Sequence, residues 1–407
     1  MKIIFSIKLF FIMLVINSCS NTNNPANTVR PLTPDEKHIV SSGNNFGLNL
    51  FQEVNREEGD KNIVLSPLSV SMALGMTVNG AAGSTRDSML NTLEMLGISI
   101  DQVNSSYQSL INLLLNMDSK VQFELANSIW YRNTWVFEQS FFDVCNKYFN
   151  SQVTGLNFDD PSAKNTINNW VNTQTKGKIP DIIDAIDPTS IMFLINTIYF
   201  KGNWTYKFDT TLTKDLPFYL LDGTSQTCKM MSQLAYLSYS RTQDFDVVDI
   251  PYGSKNFSMT IFLPSSNNNI NDFINGMTQD NYNQWLLNFK TDSVNIFIPK
   301  YKVEYKIKLN DALINMGMGI AFGDYANFYN MTKVPGTYIG EVLHKTYVLV
   351  DEAGTEAAAV TSVDIRNESM APGGHITIRL DRPFVFVIRE KSSGTIVFIG
   401  KIVEPLN

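Results

Sequence analysis

The chain has 407 residues, of which 44% are hydrophobic, 12% aromatic and only 17% charged. That is globular composition with ample material for a core, and it excludes a disordered, collagen-like or disulfide-scaffold protein. A net charge of −7 with no dense Lys/Arg run excludes a nucleic-acid binder led by electrostatics. Residues 1–18 read as a signal peptide, with Lys2 and Lys8 ahead of an unbroken apolar run from Leu9 to Ile16. The stretch Val15-Ile16-Asn17-Ser18-Cys19 resembles a bacterial lipobox, so Cys19 is the expected lipidation site and first mature residue; ordinary signal cleavage with an incidental Cys is the alternative. Acyl chains would anchor an exported protein to a membrane at the cell envelope or extracellular face. Residues 19–36, polar and proline-bearing, read as a flexible tether.

From Lys37 to Asn407 there is no long linker, internal repeat or change of composition, which predicts one domain despite the length. The first half reads as mainly helical. Ile39, Phe46, Leu50, Phe51 and Val54 fall at helical spacing. Ser66-Pro67 then supplies an N-cap and a first-turn proline for a helix that is apolar nearly all round, hence buried. Further helices are predicted over 85–96, 103–117 and 162–175. The second half is strand-rich: 191–200, 245–250, 258–263, 294–299, 342–350, 376–380, 384–389 and 395–402 are crowded with β-branched and aromatic residues. Helices first and strands later predict an α+β fold with antiparallel or mixed sheets. Cys145 and Cys228 read as buried thiols rather than a disulfide.

Enzymatic chemistry finds little support. Of the histidines, His38 starts the folded part, His344 sits inside an apolar strand and His375 lies in a Gly/Pro segment. There is no G-x-S-x-G elbow, no Walker motif and no Cys/His zinc spacing, so neither a cofactor nor a metal is expected.

The segment Val348 to Asp364, VLVDEAGTEAAAVTSVD, does not suit a static core. Thr355, Ala357, Ala359, Thr361 and Val363 put small or β-branched residues on one face of a two-residue period. A strand that slides between two existing strands needs such a face. Gly354 permits a reversal just before it. A surface helix capped by Thr355 is the competing local reading, opposed by Val360, Thr361 and Val363.

GTEAAAVT after DEA resembles the hinge of a serpin reactive-centre loop. NIVLSPLSVSMALGM (62–76), ANSIWY (126–131), INNWVNTQTKGKIPDII (167–183), LINTIYFKGNW (194–204), MTIFLP (259–264), VLHKTYVLVDEAGTEAAAVTSV (342–363) and DRPFVFVIREKSSGTIVFIGKI (381–402) are similar to serpin motifs in the family's order. The resemblance implies helices around a large central mixed sheet with two smaller sheets, an exposed reactive-centre loop and a metastable native state. It implies a monomeric suicide inhibitor of serine, or cysteine, endopeptidases, in which the cleaved loop inserts into the sheet and traps the acyl-enzyme. The alternative is a non-inhibitory serpin-fold binding or scaffold protein.

On the same resemblance, Glu352 opens the hinge, Gly354 bends it, and Thr355, Glu356, Ala357, Ala358, Ala359, Val360 and Thr361 form the inserting strand. Ala353 and Val360 depart from the family pattern, which favours a charge at the first position and a small residue at the second. Ser66, Ser69, Asn196 and His344 match the polar shutter under the sheet, and Trp204 and Lys300 match the breach at its top, with Lys300 expected to pair with Glu352. The usual spacing from Gly354 places the reactive bond at Glu368-Ser369, with Arg366-Asn367 and Met370-Ala371 as alternatives. The helix that carries heparin sites in some serpins corresponds to 103–117, which has no Lys or Arg, so no heparin site is expected there.

Overall fold

The computed structural model describes residues 30–355 and 375–405. From Leu32 onward the described residues belong to one compact unit. The helices are α1 (Pro34–Glu58), α2 (Pro67–Gly80), α3 (Gly83–Thr92), α4 (Ile100–Leu115), α5 (Gln139–Phe149), α6 (Ser162–Gln174), α7 (Ile270–Asn275), α8 (Gln279–Leu287) and α9 (Asn310–Leu313). The strands are β1 (Ile63–Leu65), β2 (Val121–Arg132), β3 (Ser151–Leu156), β4 (Met192–Asn203), β5 (Lys214–Tyr219), β6 (Ser225–Arg241), β7 (Phe245–Tyr252), β8 (Phe257–Pro264), β9 (Lys290–Pro299), β10 (Tyr301–Lys308), β11 (Leu343–Val350), β12 (Gly354–Thr355), β13 (Ile376–Arg379), β14 (Phe384–Glu390) and β15 (Ile396–Ile402).

The expected tether ends inside α1. Thr33 caps that helix through a reciprocal pair with Glu36, and Pro34 takes the first turn, so residues 34–36 are helical. Ser66 caps α2 by accepting from the Ser69 amide, and the helix buries nearly every residue against α1, β4 and β15. Strands β2 and β3 interrupt the half that composition marks as helical. They pair in parallel and extend the sheet from β4.

A mixed six-stranded sheet runs β10-β11-β12-β4-β2-β3. A nine-stranded sheet runs β1-β15-β14-β8-β7-β6-β9-β13, with β5 paired to β6. The two smaller sheets expected beside the central one are thus continuous, because the 17-residue β6 pairs with β5 and β9 over most of its length and with β7 at its end. Strands β8, β14 and β15 of the nine-stranded sheet are buried along their whole length, and β15 packs against α1 and α2. Helix α6 and the chain after it cover the outer face of the six-stranded sheet. Ile167, Val171, Ile179, Ile182 and Ile183 pack there on Trp130 of β2 and Ile195 of β4, with Leu343 and Tyr347 of β11 against the same cluster.

Candidate functional site

The site is built around the two central strands of the six-stranded sheet. Among the described residues no ladder joins β4 directly to β11; only the two residues of β12 stand between them. At the end of β11 the chain reverses over Asp351–Gly354. The Asp351 amide donates to Gly354 O at 3.0 Å, and the Asp351 carboxylate accepts from the amides of Ala353 and Gly354 at 2.9 and 3.2 Å. Thr355 then pairs with Val350 on one side and Gly202 on the other, and Gly354 pairs with Asn203. A Cβ on Gly354 would stand 2.0 Å from Gly202 O, so a glycine is required where the new strand meets β4. Gly202 has the same role opposite, since a Cβ there would meet the Tyr252 ring at 2.8 Å.

The top of the slot is a polar and aromatic clamp. Lys300 Nζ lies 2.7 Å from Glu352 Oε2, the expected contact, and Thr213 Oγ1 donates to Glu352 Oε1 at 2.8 Å. Burial pushes the Glu352 carboxyl up, but the bonds from Lys300 and Thr213 together outweigh it and hold it below the usual carboxylate range. Trp204 donates its indole N–H to Asp351 O at 2.9 Å and its amide to Ala353 O at 2.9 Å. Its ring stacks on Tyr252 at 4.5 Å with an 11° interplanar angle. Thr355 is 2% exposed and its hydroxyl bonds the buried Tyr252 hydroxyl.

The expected shutter residues also converge. His344 on β11 accepts from the Ser66 amide through Nε2 at 3.0 Å. Ser66 Oγ donates to Val397 O at 2.8 Å, and Ser69 Oγ donates to Asn196 O at 3.3 Å. Asn196 Nδ2 donates to Asn127 Oδ1 at 2.7 Å, while Asn196 Oδ1 is buried with no partner among the described residues. Burial pulls His344 down to about 4, so at neutral pH it is an uncharged acceptor.

Tyr252, Thr213 and Asn127 were not singled out from sequence. Asn127 and its partner Asn196 do lie in two of the motifs quoted above, ANSIWY and LINTIYFKGNW, whereas Tyr252 and Thr213 lie in none and meet their partners across a long separation in the chain. His38 and His375 are exposed and apart from this cluster. Cys145 and Cys228 are buried free thiols, pushed up by burial to about 12 and about 11. Glu356 to Thr361 of the expected hinge, the Glu368-Ser369 bond and Cys19 lie outside the described residues.

Comparison with known proteins bears on the same arrangement. The family model described as "Serpin (serine protease inhibitor)" matches residues 41–405. A leukocyte elastase inhibitor from Sus scrofa is 32% identical over 384 residues, covering 91% of this chain and 100% of its own. A serpin-like protein from Methanosarcina acetivorans is 30% identical over 422 residues, covering 99% and 98%. Among solved structures, the native state of the thermophilic serpin tengpin superposes with a TM-score of 0.83 at 33% identity, over 92% of this chain and 96% of that one. Its latent state gives 0.79 at 32% identity, over 93% and 100%.

Proposed function

The chain belongs to the serpin family, and on that premise we propose that it is a suicide-substrate inhibitor of serine endopeptidases, cysteine endopeptidases being a secondary class. A protease attacks the loop between Thr355 and His375 and forms an acyl-enzyme with the new C-terminus. The freed segment then adds as a strand between β4 and β11 and carries the bound protease along the sheet before deacylation. Strand addition satisfies backbone donors and acceptors on both flanking strands, which gives the insertion its driving force. A kinetic barrier to insertion, not the equilibrium, preserves the uncleaved form.

The observation that carries this reading is β12 itself: Gly354 and Thr355 already lie in antiparallel register between the two strands. Each further step places an alternate small residue, Ala357 or Ala359, on the inner face that Thr355 occupies. The composition of that face favours the inhibitor over a non-inhibitory binding protein, because no charged or bulky residue stands on it. Glu368-Ser369 is the bond we assign as reactive. We also assign residues 1–18 to export and Cys19 to a lipid anchor that holds the inhibitor at the cell envelope, which would suit defence of the cell surface against proteolysis.

The test is incubation of the mature protein with trypsin, chymotrypsin, pancreatic elastase, subtilisin and papain. A denaturant-resistant covalent complex is expected, with the new N-terminus of the cleaved loop within 366–371. Cleavage with neither a complex nor a gain in thermal stability would overturn the reading.

A further inference from the structure

The six-stranded sheet has two ends, and the clamp of Lys300, Glu352 and Trp204 occupies one of them. At the other, β2 ends at Arg132, β4 begins at Met192, β10 ends at Lys308 and β11 begins at Leu343. Two loops close this far pole, 133–138 after β2 and 323–342 before β11. They are pinned to each other. The Thr332 hydroxyl donates to Val136 O at 2.8 Å, and the Glu138 amide donates to Met331 O at 2.9 Å. The Thr337 hydroxyl donates to Val334 O at 3.0 Å. Yet both loops turn large apolar side chains outward. Val136 is 77% exposed and Tyr325 89%; Tyr329, Val334 and Tyr338 are also exposed, and Trp135 is half-buried beside Val136. Single exposed apolar residues are ordinary, but a group of them on two linked loops marks a contact surface.

The chemistry of the group indicates what covers it. Tyrosine and tryptophan have an apolar ring with a polar tip, and they are the side chains that settle at the headgroup level of a bilayer. The charges beside them are nearly balanced. Lys333 lies 3.7 Å from Glu138 and over the Tyr329 ring at 3.8 Å, and Lys308 lies 3.3 Å from Glu341. Asp324 is left without an ion-pair partner among the described residues. A nearly neutral aromatic surface offers little to a polyanion or to a strongly charged protein. It is also small for self-association, since a stable interface takes about 20–30 residues a side. Reach agrees with a bilayer. Cys19 and Thr33 are fourteen residues apart, a stretch that spans at most about 50 Å, against roughly 40 Å for the twelve-residue β2. An acyl chain on Cys19 and this pole can therefore rest on one membrane.

We propose that the pole formed by 133–138 and 323–342 is a lipid-contact surface that seats the anchored protein on the headgroup layer of its membrane. The proposal rests on the assignment of Cys19 as the lipid anchor. No helix among the described residues is long and apolar enough to cross a membrane, and the contact is superficial. The anchor alone leaves the orientation of the protein free; the aromatic pole fixes it. The reactive segment is rooted at the opposite end of β11, about 25 Å away along its eight residues. Seating the far pole on lipid turns the slot and the reactive segment toward the medium, where an attacking protease arrives. The tether keeps the local lipid concentration high, so a few aromatic contacts suffice to hold the orientation.

The test uses the lipidated mature protein, with acyl chains on Cys19 checked by mass spectrometry. It is reconstituted into phosphatidylcholine vesicles with or without bromine on the acyl chains. Trp135 emission, taken as the difference between the parent and Trp135→Phe, is the reporter. Bromine is expected to quench it by about half in the parent, as for a tryptophan at the interface. In Tyr325→Ser/Tyr329→Ser/Tyr338→Ser the quenching should fall at least to about a third of the parent's, with thermal midpoint and covalent-complex yield in solution unchanged. An unquenched Trp135 in the lipidated parent, or equal quenching in parent and triple variant, would overturn the lipid-contact surface and leave the anchor and the inhibitor reading intact. Absence of acyl chains on Cys19 would overturn the anchor and this proposal together. An unquenched parent that forms a concentration-dependent dimer lost in the triple variant would reassign the pole to self-association and overturn the proposal.

Discussion

The hydroxyl of Thr355 meets the hydroxyl of Tyr252 in a buried hydrogen bond, joining the first residues that stand between β4 and β11 to the nine-stranded sheet behind them. Two changes separate shape from chemistry at this point. Thr355→Arg puts a long cation where the residue is 2% exposed, and a buried unpaired charge has no place there. The expected outcome is a protein that folds, is cleaved by the protease and releases it, with covalent complex lost on a denaturing gel. Thr355→Val keeps the branched shape and leaves the Tyr252 hydroxyl unpaired, at about 1–3 kcal/mol. It should still yield complex, with β12 more readily displaced, read as faster amide exchange at Gly354 and Thr355.

Lys300→Ala tests the clamp at the top of the slot. It leaves Glu352, whose side chain is 12% exposed, with Thr213 as its remaining side-chain partner. Lys300 is itself a third exposed, so the loss is nearer that of a half-buried pair, about 1–2 kcal/mol. The sign with pH follows from Glu352 being held below its ordinary value. Its contribution is fully present above the unfolded value of 4.5 and is lost as pH falls through the lower folded value. The variant should show a lower thermal midpoint at pH 7 and a difference from the parent that shrinks below pH 4, measured by calorimetry across that range.

Much of this arrangement was legible in the chain because it rests on local chemistry. Ser66-Pro67 announces the start of α2, and Gly354 marks the reversal that leads into β12. The pairing of Lys300 with Glu352 was legible through family resemblance alone, since nothing local ties residues so far apart. Two further elements carry local signals of their own. Tyr301 to Lys308 alternates buried and exposed without a break, as a half-buried strand should. Thr33-Pro-Asp-Glu36 is a capping box that moves the start of α1 ahead of the expected tether boundary. Strand β6 was hidden for a physical reason: Met230 and Met231 are both buried, so the two-residue period breaks in mid-strand. The Tyr252–Thr355 bond could not be read at all, because it depends on how one sheet lies over the other.

The register between β12 and its neighbours extends to a further expectation. Six steps from Thr355 along the inserting segment reach Thr361, and six steps from Gly202 along β4 reach Asn196. The same count on β11 runs from Val350 to His344. Full insertion therefore sets Thr361 between Asn196 and His344, on the inner face. Asn196 Oδ1, buried without a partner before insertion, would then accept from the Thr361 hydroxyl. Thr361→Val should leave the uncleaved protein unchanged and lower the stability gained on loop cleavage by about 1 kcal/mol. A double-mutant cycle with Asn196→Ala isolates the pair; additive effects would remove it.

His344 gives the site a pH dependence of definite sign. Its imidazole is 5% exposed, and burial pulls its value from 6.5 down to about 4. Between those values the unfolded chain holds a proton there and the folded one does not, so stability rises with pH across the window. The span corresponds to roughly 3 kcal/mol, present in full above pH 6.5 and lost by pH 4. Protonation at Nε2 would also replace an acceptor by a donor facing the Ser66 amide, which breaks the bond that ties β11 to the start of α2. His344→Gln keeps an acceptor and cannot titrate. The parent's denaturant midpoint should fall steeply from pH 6.5 to 4, and the variant's should fall less by about that amount. Equal slopes would show that His344 binds its proton equally well in the folded and unfolded chain, and would overturn the prediction. If the rate of spontaneous loop insertion in the parent also rises as pH falls through the same window and stays flat in the variant, the Ser66–His344 bond is part of the barrier to insertion.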